Sequence, residues 1–158
     1  MVLSVIKNFV NGSNNGFPKE FNKIIQILNL DAKKDSEVLV YLWKAYQFGS
    51  QAHLNQKRRS GEPYFTHCAS VGAVLASWNM DVDTIIAGLL HDTIEDTKIT
   101  REVIVEEFSE DIASLVEGVS KLSGIKFHSR QEKPAENFMK MFLSVAKDLR
   151  VIIIKFAD

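Results

Sequence analysis

The sequence predicts an all-α bundle, and three observations carry that prediction. Apolar residues recur at helical spacing through successive segments, no pair of runs alternates apolar and polar faces around a tight turn, and no internal repeat is present. The chain has 158 residues, 46% of them hydrophobic, with 8 Gly and 3 Pro. That length fits one domain and excludes collagen-like or wholly disordered chains. Lys plus Arg (19) nearly balance Asp plus Glu (20), so no global field draws the chain to nucleic acid or to an acidic membrane. The one cysteine, Cys68, excludes an internal disulfide and a multi-cysteine zinc site and fits a reducing cytosol. No apolar run reaches a membrane span, and Met1 to Val10 lacks the basic head and long apolar core of a secretory signal.

Asn11 to Gly16 (NGSNNG) reads as a loop, because Asn and Gly tolerate left-handed backbone. Residues 1–17 are accordingly a lead and loop, and residues 18–158 the domain. Phe21, Ile24, Ile25 and Leu28 share one helical face, and Val38, Leu39, Leu42, Trp43, Tyr46 and Ala52 continue the period in a longer segment. Arg58 to Glu62 breaks it, and Pro63 is placed as a first-turn residue of the next helix. That helix turns Phe65, Val71, Val74, Leu75 and Trp78 inward. Asp81 is the expected N-cap of an element spanning Thr84 to Glu95, apolar nearly all round through Leu90. Thr100 caps a helix with Val103, Ile104 and Phe108 inward, and another follows with Ile112, Leu115, Val116 and Val119. Residues 123–134 read as a second loop, after which Phe138, Met141, Phe142, Val145 and Leu149 resume helical spacing. Val151 to Ile154 is β-branched, which propensity favours as strand. It lies in phase with the preceding stripe and has no partner strand, so it reads as buried helix. The chain stops at Asp158 directly after this apolar element, which suggests a fragment of a longer protein.

The sharpest chemical signal is His91-Asp92-Thr93-Ile94-Glu95-Asp96. On one helix, positions 91, 92, 95 and 96 fall at about 0°, 100°, 40° and 140°, so an imidazole and three carboxylates share a face. Carboxylates gathered beside a core repel one another and lose hydration unless a cation or donors compensate. A divalent metal compensates well, and a solvated helix end rich in acids fits the hexapeptide equally. His67 and Asp158 lie beside apolar residues and fit either inward ligands or a core histidine and an ordinary terminal acid. His53 and His128 read as non-ligands, and Cys68 as a small buried thiol. Lys57-Arg58-Arg59-Ser60-Gly61 can clamp phosphate oxygens if it abuts a metal, and otherwise reads as solvated surface.

The stretches Arg58-Arg59-Ser60-Gly61-Glu62-Pro63-Tyr64-Phe65-Thr66-His67 and Ala87-Gly88-Leu89-Leu90-His91-Asp92-Thr93-Ile94-Glu95-Asp96-Thr97 resemble the hydrolase domain of the RelA/SpoT homologues, which make and degrade the alarmones ppGpp and pppGpp. Val116 to Leu122, Ala135 to Met141, and Asp148 to Val151 leading to Lys155-Phe156-Ala157-Asp158 extend the resemblance in order, from about Tyr46 to the last residue. The resemblance implies an HD-domain helical bundle with manganese, or another divalent metal, held by His67, His91, Asp92 and Asp158. It implies that Glu95 and Asp96 position or deprotonate the attacking water, and that Arg58, Arg59 and Ser60 contact the nucleotide. The implied reaction, in the stringent response, removes the 3′-pyrophosphate of ppGpp or pppGpp to give GDP or GTP. Alternatives are a regulatory nucleotide-binding HD domain of a GTP pyrophosphokinase and another HD nucleotide phosphohydrolase. The implied setting is cytoplasmic, without nucleic acid or membrane partners, with synthetase and regulatory domains in the full-length chain. Cys68 stands where the family usually has Pro, Asn55 where Gly is usual, and Phe156 where Leu is common.

Overall fold

A computed structural model of the protein describes residues 17–31, 34–123 and 148–158. The described residues form the helices α1 (Lys19–Leu28), α2 (Ser36–Ala52), α3 (Phe65–Ser77), α4 (Val82–Leu90), α5 (Thr93–Asp96), α6 (Arg101–Glu107), α7 (Glu110–Ser123) and α8 (Arg150–Ala157). The β-type pairing among them is an isolated bridge between Lys57 and Pro63. The expected NGSNNG loop, the loop through residue 134, the helix resuming at Phe138 and His128 lie outside the described residues.

Helix α4 is the axis of the bundle. Every residue from Thr84 to Leu90 is buried, and the helix touches α2, α3, α7 and α8. Such all-round burial explains why its sequence lacks a polar stripe. Asp81 caps it as expected, its carboxylate accepting from the Thr84 amide (3.0 Å) and the Thr84 hydroxyl (2.7 Å). Helix α1 buries Phe21, Ile24 and Ile25, and Asn29 ends it in left-handed backbone (φ 51°), with the Leu30 amide returning to the Ile25 carbonyl. Phe17, Phe21, Trp43, Tyr46 and Phe65 form a run of edge and stacked ring contacts that ties α1 and α2 to the start of α3. The Val151–Ile154 segment is helical, as its phase required, and it buries Val151 and Ile154 on one face.

Three local expectations change. The element expected from Thr84 to Glu95 is two helices, because side chains take over the terminal carbonyls of α4. The His91 Nδ1–H donates to the Gly88 carbonyl (2.7 Å) and the Thr93 hydroxyl to the Leu90 carbonyl (2.6 Å). Pro63 lies two residues before α3, in the bridge to Lys57, where its carbonyl receives the Thr66 amide and hydroxyl. Trp78 is not inward: it follows the last turn of α3 and is 48% exposed.

Close packing of α2 on α3 and α4 sets the position of the α4 end. A methyl group at Gly49 would stand 3.1 Å from the Leu89 carbonyl oxygen and collide with the Phe65 ring. Gly49→Ala should therefore lose about 1–3 kcal/mol of stability, read as a lower urea midpoint at unchanged m-value. A midpoint equal to wild type would show that the contact relaxes freely.

Candidate metal centre

Three separate stretches deliver side chains to one point. His67 is the third residue of α3, His91 and Asp92 follow α4, and Asp158 follows α8. The His67 Nε2 lies 2.8 Å from Asp158 Oδ1 and 4.0 Å from Asp92 Oδ2. The His91 Nε2 lies 3.1 Å from Asp92 Oδ2 and 3.5 Å from Asp158 Oδ1. Donors about 2.1 Å from a common ion stand roughly 3.0 Å apart at neighbouring octahedral positions and roughly 3.4 Å apart at tetrahedral ones. Each of these four imidazole–carboxylate separations fits a pair of ligands on one small cation, and His67, His91 and Asp158 lie close enough together to share one.

The tautomer of His91 supports that fit. Its Nδ1 faces the Gly88 carbonyl, which can only accept, so Nδ1 carries a proton and the neutral ring turns its Nε2 lone pair inward. The ring is 1% exposed, and Nε2 makes no hydrogen bond of adequate geometry among the described residues. A buried ring nitrogen without a well-formed hydrogen bond, beside two carboxylates, is what a cation site presents before it is filled. Two imidazole nitrogens with two carboxylate oxygens suit a divalent first-row metal.

In the metal-free protein protons substitute in part. Burial lowers the His91 pKa, but Asp158 and Asp92 outweigh it and raise it to about 9. His67, with His91 and Lys155, holds the Asp158 carboxyl far below the usual range. Burial opposes ionisation of Asp92, and His91 and Tyr64 nonetheless lower its pKa. Lys155 pairs with the other Asp158 oxygen and donates to the Ser123 hydroxyl (3.0 Å), so Oδ1 is the oxygen left facing the imidazoles. Cys68 lies within reach of His91 and Asp92. Burial first, and Asp92 second, push its thiol well above the ordinary range, so it packs beside the site as a protonated side chain.

The acidic pair sits at the rim. The Tyr64 hydroxyl stands 2.8 Å from Asp92 Oδ2 and 2.9 Å from Asp96 Oδ2, so a single O–H is shared between two carboxylates. Glu95 is exposed, like Asp96, and partial burial followed by repulsion from Asp96 and Asp92 raises its pKa. Arg58, Arg59 and Ser60 are exposed on the loop before α3. That loop closes through the Arg58 amide to the Glu62 carbonyl and the Gly61 amide to the Arg58 carbonyl (2.9 Å each). Gly61 takes φ 90°, which favours glycine. The Ser60 hydroxyl donates to Glu62 (3.3 Å), and no ion pair engages either arginine among the described residues. The structure thus brings together His67, His91, Asp92, Asp158 and Asp96, with Glu95 beside them and the basic loop leading into Tyr64.

Sequence reasoning missed Tyr64, Gln56, Lys155 and His53. Spacing could have found two of them. Tyr64 precedes His67 by one turn, and Lys155 precedes Asp158 by three residues on α8. His53, read as a non-ligand, is buried at the end of α2.

Comparison with known proteins agrees with this geometry. Residues 45–158 match the HD domain. The chain is 48% identical over 117 residues, 74% of its length, to the bifunctional (p)ppGpp synthase/hydrolase SpoT of Escherichia coli. It is 50% identical over 115 residues to a guanosine-3′,5′-bis(diphosphate) 3′-pyrophosphohydrolase of Aquifex aeolicus and 47% identical over 118 residues to a GTP pyrophosphokinase of Myxococcus xanthus, 73% of this chain in each case. The chain spans only 16–17% of the length of these relatives. By its sequence match, its all-helical fold and its RelA/SpoT-type motifs, the chain belongs to the HD domain family.

Proposed function

We propose that this chain is the metal-dependent hydrolase domain of an alarmone-degrading enzyme, cleaving the 3′-pyrophosphate of ppGpp or pppGpp to GDP or GTP plus pyrophosphate. The observation that carries this reading is the approach of each imidazole Nε2, of His67 and of His91, to both Asp92 Oδ2 and Asp158 Oδ1, at 2.8–4.0 Å. The relatives named for this reaction support the choice of substrate. The four residues would hold manganese or a similar divalent cation. When bound, that cation supplies Lewis acidity, polarising a phosphoryl oxygen and making a water more acidic.

The protein's own groups divide the remaining work. Asp96 receives the Tyr64 hydroxyl on Oδ2, which leaves Oδ1 to orient a water and take its proton as the oxygen attacks phosphorus. Glu95, which holds a proton more readily than an ordinary carboxylate, stands next to it as a second acid/base group. As the bond from the 3′-oxygen to phosphorus breaks, that oxygen keeps the electron pair and takes a proton from Glu95 or from the newly protonated Asp96, leaving as a hydroxyl. Arg58 and Arg59 offer planar donor forks to the phosphates, and Ser60 a hydroxyl. These cations offset the negative field of the four nearby carboxylates, which would otherwise repel an anionic nucleotide. No described helix is long and apolar enough to cross a membrane. The Myxococcus relative named a GTP pyrophosphokinase favours one second reading, a regulatory nucleotide-binding HD domain. Unchanged ppGpp after incubation with manganese would select it.

Four side chains around one ion dictate the first outcomes. His91→Ala should abolish pyrophosphate release and strip bound manganese, measured by elemental analysis. Asp96→Asn should retain the ion and lose about 10²–10⁴-fold in kcat. Wild-type manganese content in His91→Ala, or loss of the ion in Asp96→Asn, would exchange their roles. Arg58→Ala should raise KM for ppGpp with kcat within about twofold, and a pure kcat effect would contradict a binding role.

Proton linkage provides a further measurement. His91 stays protonated up to about pH 9 in the metal-free protein, and a cation needs the neutral ring. Manganese affinity should therefore rise about tenfold per pH unit between roughly pH 6.5 and 8, with about one proton released per ion, as read by calorimetry in buffers of different ionisation enthalpy. Flat affinity over that range would contradict the assignment.

A further inference from the structure

His53 ends α2 and is 2% exposed. Its ring lies against the Tyr64 ring, with centroids 5.1 Å apart and planes 26° from parallel. Its Nδ1 stands 2.7 Å from Gln56 Oε1, and Gln56 Nε2 donates to the Asp96 carbonyl oxygen (2.6 Å). The polarity of this chain follows from chemistry. The Asp96 carbonyl can only accept, so the amide NH₂ of Gln56 faces it and the amide oxygen faces His53. The imidazole proton therefore sits on Nδ1. The Nε2 lone pair is buried and has no partner among the described residues. Burying an unpaired nitrogen is costly, and a phenyl ring at this position would pack without that cost.

Both arms from His53 end on the same residue. One runs through the Tyr64 ring to the hydroxyl shared by Asp92 and Asp96. The other runs through Gln56 to the main chain of Asp96. The backbone reinforces the frame, since the Gln56 amide donates to the His53 carbonyl and the Tyr64 amide to the Gln56 carbonyl (2.9 Å each). Asp96 needs such bracing. It is the last residue of the four-residue helix α5, and Thr97 after it turns to extended backbone. A one-turn helix does not hold its final carboxylate rigidly by itself.

We infer that His53 is a positioning residue that, through Gln56 and Tyr64, fixes the backbone and carboxylate of Asp96 for proton transfer. This rests on the proposed acid/base role of Asp96, and His53 itself touches neither substrate nor the candidate ligand atoms.

The test compares wild type, His53→Phe, Gln56→Leu and the double variant in the complete chain. Each is measured for manganese content, for kcat and KM of pyrophosphate release from ppGpp, and for the Tyr64–Asp96 distance in a crystal structure. Each single variant should keep the wild-type metal content and hold KM within about twofold, while kcat falls about 10- to 100-fold. The double variant should lose no more than the worse single variant, as expected for links of one chain. Asp96 Oδ2 should leave hydrogen-bond reach of the Tyr64 hydroxyl. Wild-type kcat in folded His53→Phe, kcat losses that multiply, or metal loss in parallel with kcat would each overturn the inference. If His53→Phe does not fold, the half-buried Gln56→Leu decides by the same split. If wild type releases no pyrophosphate, the functional reading fails on its own. The Asp96 position in Gln56→Leu then decides the positioning role, and an unmoved Asp96 refutes it.

Discussion

Mutual repulsion among lone pairs is the constraint on which this structure turns. Two imidazole nitrogens each approach two carboxylate oxygens to within 4.0 Å at the edge of an apolar core, where water cannot fully compensate them. Such a cluster is tolerable only with positive charge at its centre. In the metal-free protein a protonated His91 and the Lys155 ammonium supply part of it. A divalent ion, in the role proposed for it, would supply more charge in the same space.

The bundle is arranged to hold that cluster. Buried on every side, α4 cannot rotate or slide without opening the core, so the direction of His91 at its end is set by packing. The Gly88 carbonyl then fixes the ring through Nδ1. His67 comes from α3 and Asp158 from α8, and both helices touch α4. The site is therefore as rigid as the core beneath it, while Asp96, Glu95 and the basic loop lie on shorter and more exposed segments. The groups proposed to hold an ion thus sit on the firm part, and those proposed to face substrate at the rim.

Much of the helical order was legible in sequence. The stripes of α1, α2 and α7 emerged from spacing because each buries one face and leaves the other wet. The helical state of Val151–Ile154, against its β-branched propensity, was readable because no partner strand existed. What misled was local. Trp78 shares the period of α3 but lies past its last turn, and periodicity does not say where a helix stops. The break after Leu90 depends on His91 and Thr93 side chains bonding to carbonyls, which no apolar pattern records. Tyr64 and His53 escaped notice because an aromatic hydroxyl and a polar helix end carry no chemical signal until a neighbour is known.

By itself, the sequence determined the kind of fold, the His-Asp and Glu-Asp pairs and their family resemblance, since each is a property of residues adjacent or one turn apart. Tertiary structure alone decided that His67 and Asp158, 91 residues apart, share one centre, with Nε2 and Oδ1 2.8 Å from each other. It also decided which nitrogen of His91 faces inward and which side chains contact Asp96. The physical reason is range: spacing along a helix constrains neighbours within a turn or two, whereas the meeting of distant donors depends on how whole helices pack.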